Sequence, residues 1–238
     1  MCYDVASQLR SQLKYARHIG ASAEDIAYLE RQLKKYEWTP YFRVDGFSKT
    51  RPKLPVVTND KPNEIQFFEW KYLSDSVVNS KKGLNTLNAT RERIFISNTY
   101  KDAAQKRHCL VLVDGYFEPH GFGKIKKKVR YGKTISDYEK KAYYFIESKD
   151  DMPLSLAGLW NEWADPETGE IRQTCTIITV PASPLLSKIH NVMERMPAII
   201  PKELQKEWLE AVSPDPEPLL KQKSEELLHP YDEDLLTY

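Results

Sequence analysis

Five apolar residues in succession, Cys109-Leu110-Val111-Leu112-Val113, are stopped by Asp114-Gly115. A run with no alternation offers no polar face to water. It predicts a strand buried on both sides that enters a turn. Tyr116-Phe117-Glu118 follows at once and sets a carboxylate beside two aromatic rings.

The surrounding texture agrees with a sheet. Tyr41-Phe42-Arg43-Val44, Leu54-Pro55-Val56-Val57 and the stretch from Ile65 to Trp70 alternate with Gly46 and Asn59-Asp60. Further strands are predicted from Tyr143 to Ile146, Leu154 to Trp160 and Thr174 to Thr179, the last two joined by the turn Asp165-Pro166-Glu167-Thr168-Gly169. Short apolar runs between turn residues are the rhythm of an antiparallel sheet. Helical spacing is weak over residues 5–19 and clearer after Ser22, where Asp25 completes a capping pattern and Ile26, Leu29 and Leu33 form a stripe closed by Pro40. Asn79 to Asn88 reads as a loop, and Thr90 to Arg93 begins a helix. Another helix is predicted from Pro201, with Leu204, Trp208 and Val212 as its apolar stripe. The last twenty residues read as a short amphipathic helix and a tail. The fold class is α+β.

At 238 residues the chain fits one large domain or two small ones, and a domain of the full size needs no staples. Its three cysteines, Cys2, Cys109 and Cys175, form no CxxC pair, which argues against a disulfide framework or a zinc site and suggests a reducing, cytoplasmic compartment. No apolar run approaches 18 residues and no basic-then-apolar leader opens the chain, so no membrane partner is expected. Net charge is +1, which rules out a generic polyanion binder and restricts any nucleic-acid site to a local patch. Residues 121–142 are such a patch: eight basic residues (Lys124, Lys126, Lys127, Lys128, Arg130, Lys133, Lys140 and Lys141) stand against Asp137 and Glu139, a local charge of +6. Either this is a solvated hairpin tip or it contacts phosphate, with Phe122, Tyr131 and Tyr138 available to stack on bases.

The chain opens Met1-Cys2-Tyr3-Asp4. With Met1 removed, Cys2 carries two nucleophiles on adjacent carbons, an amine with a reference pKa of about 8 and a thiol at about 8.5. Together they can trap one aldehyde, first as an imine and then as a five-membered thiazolidine. An internal cysteine cannot, because its nitrogen is an amide. Asn88, Glu118 and His190 are further candidates, although a capping residue, a surface charge and a structural histidine would each be the plainer account of them taken singly.

In context these residues resemble the SOS-response-associated peptidase family, whose members shield abasic sites in single-stranded DNA. The resemblance rests on Met1-Cys2, Gly46-Phe47, Leu54-Pro55-Val56, Leu87-Asn88-Ala89 with Glu92, Arg107 to Val111 running into Asp114-Gly115-Tyr116-Phe117-Glu118, Leu156 to Trp160, Thr174 to Thr179, and Ile189-His190 with Arg195-Met196-Pro197. It implies a single domain over 1–238 built on an antiparallel, partly closed sheet with flanking helices. It implies that Cys2 bonds the abasic sugar, Asn88 positions it, Glu118 moves protons and serves N-terminal processing, and His190 assists ring opening. Thr179 and Arg195 would contact phosphate. Apart from the resemblance, Arg91, Lys126 and Lys127 are basic residues expected to contact DNA, and Trp70 is a ring on which a flanking base could stack. No cofactor or metal is implied, and the protein is expected to act as a monomer on single-stranded DNA containing abasic sites.

The chain also departs from the family pattern. Tyr3-Asp4 stands where the family has Gly-Arg, Thr90 where it has Arg, and Pro119 where it has Trp; Val192-Met193-Glu194 are extra, and residues 5–36 and 121–142 are variable insertions before a C-terminal tail at 213–238. Two other classes stay open: a cysteine peptidase acting in trans, on a Cys, His and Asn set, and a non-covalent reader of modified DNA.

Overall fold

The computed structural model describes residues 4–6, 9–35, 43–47, 52–80, 83–130, 133–148, 152–191, 193–211 and 228–232. In chain order these form β1 (Asp4–Ala6), α1 (Leu9–His18), α2 (Ala23–Lys35), β2 (Arg43–Asp45), β3 (Lys53–Thr58), β4 (Lys61–Trp70), α3 (Asp75–Val78), β5 (Asn88–Thr90), α4 (Arg91–Ile94) and α5 (Lys101–Lys106). Then come β6 (His108–Val113), β7 (Gly115–Arg130), β8 (Lys133–Ser148), β9 (Leu154–Ala164), β10 (Ile171–Pro181), α6 (Pro184–Ile189), β11 (Arg195–Pro197), a 3-10 turn at Lys202–Leu204, α7 (Gln205–Glu210) and β12 (Leu228–Asp232).

Five strands close on themselves in the order β10-β4-β3-β6-β9, with β9 pairing back to β10, and this barrel is the centre of the α+β fold. A barrel wall faces a packed interior on one side and covering elements on the other, which is why β6 is buried at all six positions and carries no polar alternation. Most pairings are antiparallel, as the sequence predicts. The seam between β4 and β10 is parallel, with Thr174 opposite Glu69 and Cys175 opposite Trp70. Arg172 braces that seam through a forked pair to Glu69. A second sheet, β12-β8-β7-β1-β2, shares one core with the barrel through Val5, Tyr116 and Ile146.

The two sheets are joined by a single residue. Sequence predicts a turn at Asp114-Gly115; instead β6 ends at Val113, Asp114 intervenes, and β7 begins at Gly115 in the other sheet. A Cβ at Gly115 would lie 2.4 Å from the Phe145 ring and 2.6 Å from the Ile146 carbonyl, so the close approach of β8 requires glycine there.

Ser22 caps α2 as expected, accepting from the Asp25 N–H at 3.1 Å and donating to the Asp25 carboxylate at 2.6 Å. Leu13, Tyr15, Ala16 and Leu29 bring the first two helices into the core. Trp208 is fully buried in α7 and its indole donates to the Cys109 carbonyl at 2.9 Å. One expectation changes. Residues 228–232 form a strand on the edge of the second sheet, where the sequence suggests a tail; the helix expected just before them, and Val212, lie outside the described residues. Within the basic stretch, read from sequence as a hairpin tip or a phosphate contact, residues 121–130 and 133–142 form the outer part of two 16-residue strands, β7 and β8.

Candidate active site

Glu118 is the fourth residue of β7, past the point where the chain has changed sheets. On one side it pairs with Tyr144 of β8. On the other, β1 runs antiparallel to β7 with Ala6 opposite Gly115, Val5 opposite Tyr116 and Asp4 opposite Phe117. The first described residues of the chain are therefore laid along the strand that carries Glu118. Cys2 itself lies outside the described residues.

His190 comes from α6. Ser183 caps that helix, Pro184 occupies its first turn, and at His190 the backbone leaves it with φ −88° and ψ 67°. The exit aims the imidazole at β7. Nδ1 stands 2.8 Å from Oε2 of Glu118, and both side chains are almost wholly buried, at 3% and 1% exposure. The same nitrogen lies 3.0 Å from the Arg195 carbonyl. A carbonyl oxygen only accepts, so Nδ1 carries the hydrogen and Nε2 is the nitrogen that can exchange a proton. A carboxylate removed from water is costly without a partner of this kind.

The pair is fixed by a clamp that sequence reasoning does not reach. Asn191, next to His190, accepts from the Gly121 N–H and donates to the Gly121 carbonyl, both at 2.9 Å. His120 Nδ1 donates to the Ile189 carbonyl at 2.9 Å. Three hydrogen bonds thus staple the His190 loop to β7 just beyond Glu118. The only sequence signal was period-two alternation, which puts His120 on the same face as Glu118. Just before Arg195 the Glu194 N–H meets the His190 carbonyl at 3.1 Å, with Glu194 at φ 51°; Val192 lies outside the described residues.

Arg195, on β11, is held rather than presented. Its guanidinium forks onto Glu92 at 2.9 and 3.1 Å and also reaches the Thr179 carbonyl and hydroxyl. Thr179 is fully buried on β10 and its hydroxyl donates to the Ala89 carbonyl at 3.3 Å. Ala89 follows Asn88 on β5, which runs parallel to β10 with Asn88 opposite Ile177. The strand of Asn88 is thereby linked through Thr179 and Arg195 to His190 and Glu118. Burial alone would push the Glu92 carboxyl up; the Arg195 hydrogen bonds and the charges of Arg195 and Arg91 more than reverse this, leaving it below the usual carboxylate range. Glu92 as the partner of Arg195 is a second residue whose role the sequence does not disclose.

Other candidates are elsewhere. Trp70 is fully buried, its indole donating to the Leu87 carbonyl at 2.9 Å, so it is a core residue and offers no face for a base to stack on. Arg91 is half-buried at the start of α4. Lys126 and Lys127 are exposed on the outer part of β7. Cys109 and Cys175 are free and buried, and burial pushes both thiols well above the ordinary range, so neither is a nucleophile.

The whole chain, residues 1–238, matches the model of the family described as SOS response associated peptidase (SRAP). It is similar to the abasic site processing protein YoqW of Bacillus subtilis, with 26% identity over 206 residues covering 87% of this chain and 80% of that protein. It is also similar to the abasic site processing protein HMCES of Gallus gallus, with 33% identity over 144 residues, 55% of this chain and 40% of that one. A crystal structure of a protein from Bacteroides thetaiotaomicron superposes with a TM-score of 0.74 at 27% identity, covering 97% of this chain and 91% of the other. The buried Glu118–His190 pair, the strand of Asn88 and the Arg195 fork therefore sit in a chain that belongs to the SRAP family.

Proposed function

We propose that this protein processes abasic sites in single-stranded DNA by capturing the sugar aldehyde on the amine and thiol of Cys2 once Met1 has been removed. One observation carries the reading: β1 pairs with β7 up to Asp4 opposite Phe117, and the next residue of β7 is Glu118, in contact with His190. Cys2 precedes Asp4 by two residues, a length of chain that spans at most about 7 Å, and the proposal puts its amine and thiol beside this pair. The names of the relatives, which are abasic site processing proteins, agree with the class of substrate.

The chemistry follows from the groups. An abasic deoxyribose is mostly a closed hemiacetal; as its C1–ring oxygen bond breaks, His190 delivers a proton to the ring oxygen and the C1 hydroxyl gives up its own proton to become the aldehyde, which restores the imidazole's proton. The Cys2 amine adds to the aldehyde carbon, and Glu118 takes the amine proton and returns it to the departing hydroxyl, which leaves as water. The thiolate then adds to the imine carbon and the nitrogen takes up a proton. The balance is one aldehyde and one aminothiol giving one thiazolidine and one water. Closing the ring removes the iminium that would otherwise drive hydrolysis or β-elimination of the 3′ phosphate, so the product is a shield rather than a nick. The proposal includes removal of Met1 by the protein itself, with Glu118 as the proton-transfer group.

Intact mass spectrometry before and after incubation with an abasic single-stranded oligonucleotide tests this. The expected result is a protein lacking Met1 that gains the mass of the oligonucleotide less one water and keeps it on heating. A protein that binds the oligonucleotide but never shifts in mass would overturn the reading.

A further inference from the structure

Beyond Glu118 the β7–β8 hairpin leaves the body of the protein. Among the described residues β1 flanks β7 as far as Phe117, and β12 flanks β8 from Tyr144. The paired register continues outward to Arg130 opposite Lys133. A two-stranded ribbon is marginal in water by itself, so this one depends on the fixtures at its root.

Those fixtures belong to the candidate site. Gly121 is gripped through both its N–H and its carbonyl by Asn191. Tyr138 folds down onto it: a Cβ at Gly121 would lie 2.1 Å from the Tyr138 ring. Immediately outward the register slips by one residue between Phe122 and Ile125, with Gly123 at φ 82°. A bulge of this type bends and twists a ribbon. The arm is therefore set at one angle to the His190 loop by Asn191, Gly121 and Tyr138.

Its surface contrasts with the rest of the chain. Residues 121–142 carry +6 in a protein whose total is +1, so all the remaining residues together carry −5. Among the described side chains Lys124, Lys126, Lys127, Lys140 and Lys141 are exposed. Phe122 and Ile125 stand among them at 43% and 55% exposure. Meanwhile the guanidinium of Arg195 is committed to Glu92, and Thr90 and Asp4 supply no cation.

We infer that this arm is a binding site for the phosphate backbone of single-stranded DNA, holding the strand that leads into the Glu118–His190 site. The inference rests on the proposed DNA substrate and adds to the site a place for the backbone. Charge complementarity supplies most of the affinity, and exposed Phe122 offers a face to a base.

The test is a salt titration of affinity for an undamaged single-stranded oligonucleotide, comparing wild type with Lys124→Ala/Lys126→Ala/Lys127→Ala and with the corresponding triple Arg variant. The alanine variant is expected to bind about 10- to 100-fold more weakly near 0.1 M salt, with a log–log slope shallower by about 0.7 for each phosphate no longer neutralised. The arginine variant is expected to match wild type. Parallel lines of equal affinity would overturn the inference. So would a variant that self-associates but binds as before, or one that loses affinity for duplex alone. Crosslinking at saturating abasic DNA separates the two readings. A wild type that never crosslinks, beside a variant that binds weakly, removes the abasic-site chemistry and leaves the arm; normal crosslinking with unchanged variant affinity does the reverse.

Discussion

The inner and outer parts of one hairpin are made under different rules. From Gly115 to Phe117, β7 is flanked by β1 and β8, and the packing continues to Glu118: Tyr116 and Glu118 are at 0% and 1% exposure, and the tilted rings of Phe117 and Phe145 have centroids 4.9 Å apart. From Phe122 outward the same strand has one neighbour among the described strands, and positions 122–127 are all exposed. The inner part can hold a carboxylate and an imidazole at a fixed distance because nothing there can move without disrupting the core. The outer part can carry many like charges because water screens them. A buried acid–base pair and an exposed run of lysines are thus placed on one strand and kept apart by a glycine.

The largest expected effect tests the inner part. Cys2→Ser should abolish the heat-stable adduct with abasic DNA, since an oxygen closes a less stable ring, while leaving affinity for undamaged DNA unchanged. Gel analysis after heating reads the first and fluorescence anisotropy the second; a stable adduct with serine would remove the thiazolidine.

His190→Ala comes next. Loss of proton delivery should slow crosslinking by about 100-fold or more, and leaving the Glu118 carboxylate buried beside a void should cost about 3–5 kcal/mol of stability. Adding Glu118→Gln should recover part of that stability without recovering rate, which denaturant titration and single-turnover kinetics can separate. Strictly additive stabilities would mean that the two side chains do not interact.

Asn191→Ala acts between the two parts. It strands the N–H and carbonyl of Gly121 and should cost about 1–3 kcal/mol. It should also slow crosslinking, because the His190 loop and the root of the arm are no longer fastened together. A variant with normal rate and unchanged hydrogen exchange at residues 121–142 would show the clamp to be incidental.

The smallest effects concern acid and single surface charges. Burial lowers the pKa of His108 below its ordinary 6.5, partly opposed by its hydrogen bond to the Ala104 carbonyl. The unfolded chain then binds a proton the native ring resists, so stability is full above pH 6.5 and declines as pH falls from there toward the folded value. Glu92, with its pKa lowered, adds a second loss that begins below its ordinary 4.5. Denaturation midpoints between pH 8 and pH 3 should show both, and His108→Gln should remove the first. Lys126→Ala alone should change stability by less than about 0.5 kcal/mol.

What the sequence disclosed depends on whether a signal was local. The run Cys109 to Val113 announced β6 because burial on both faces leaves its mark in five consecutive residues. Asp114-Gly115 looks the same whether a chain reverses or passes to a second sheet, so the bridge was hidden. The parallel seam of β4 and β10 joins residues more than a hundred apart and leaves no local pattern. The outer side chains of β7 at positions 122–127 are all exposed, so that stretch lacks alternation and reads only as a hairpin tip or a phosphate contact. Residues 228–232 contain Pro230, which argues against a strand, yet β12 is an edge strand and tolerates it. At the site, residue types picked out Glu118 and His190, but only the tertiary structure supplies their contact and the clamp through Asn191. Trp70 looked like an aromatic platform because composition cannot say that its indole N–H is spoken for in the core.

The single-residue bridge at Asp114 has a consequence for how such a chain can change length. Side chains alternate along a strand with a period of two, so one residue gained or lost between Val113 and Glu118 would turn the carboxylate away from His190 and destroy the site at a stroke. At the far end of the same hairpin residues can be added in pairs, one beyond Arg130 and one before Lys133, lengthening the arm while every inner side chain keeps its direction. The bulge at Gly123 goes further: it already holds one unmatched residue, so the arm beyond it keeps a count of its own. One end of this strand is a fixed frame in which each position is numbered by its distance from the barrel, and the other is free to grow to the reach its ligand demands.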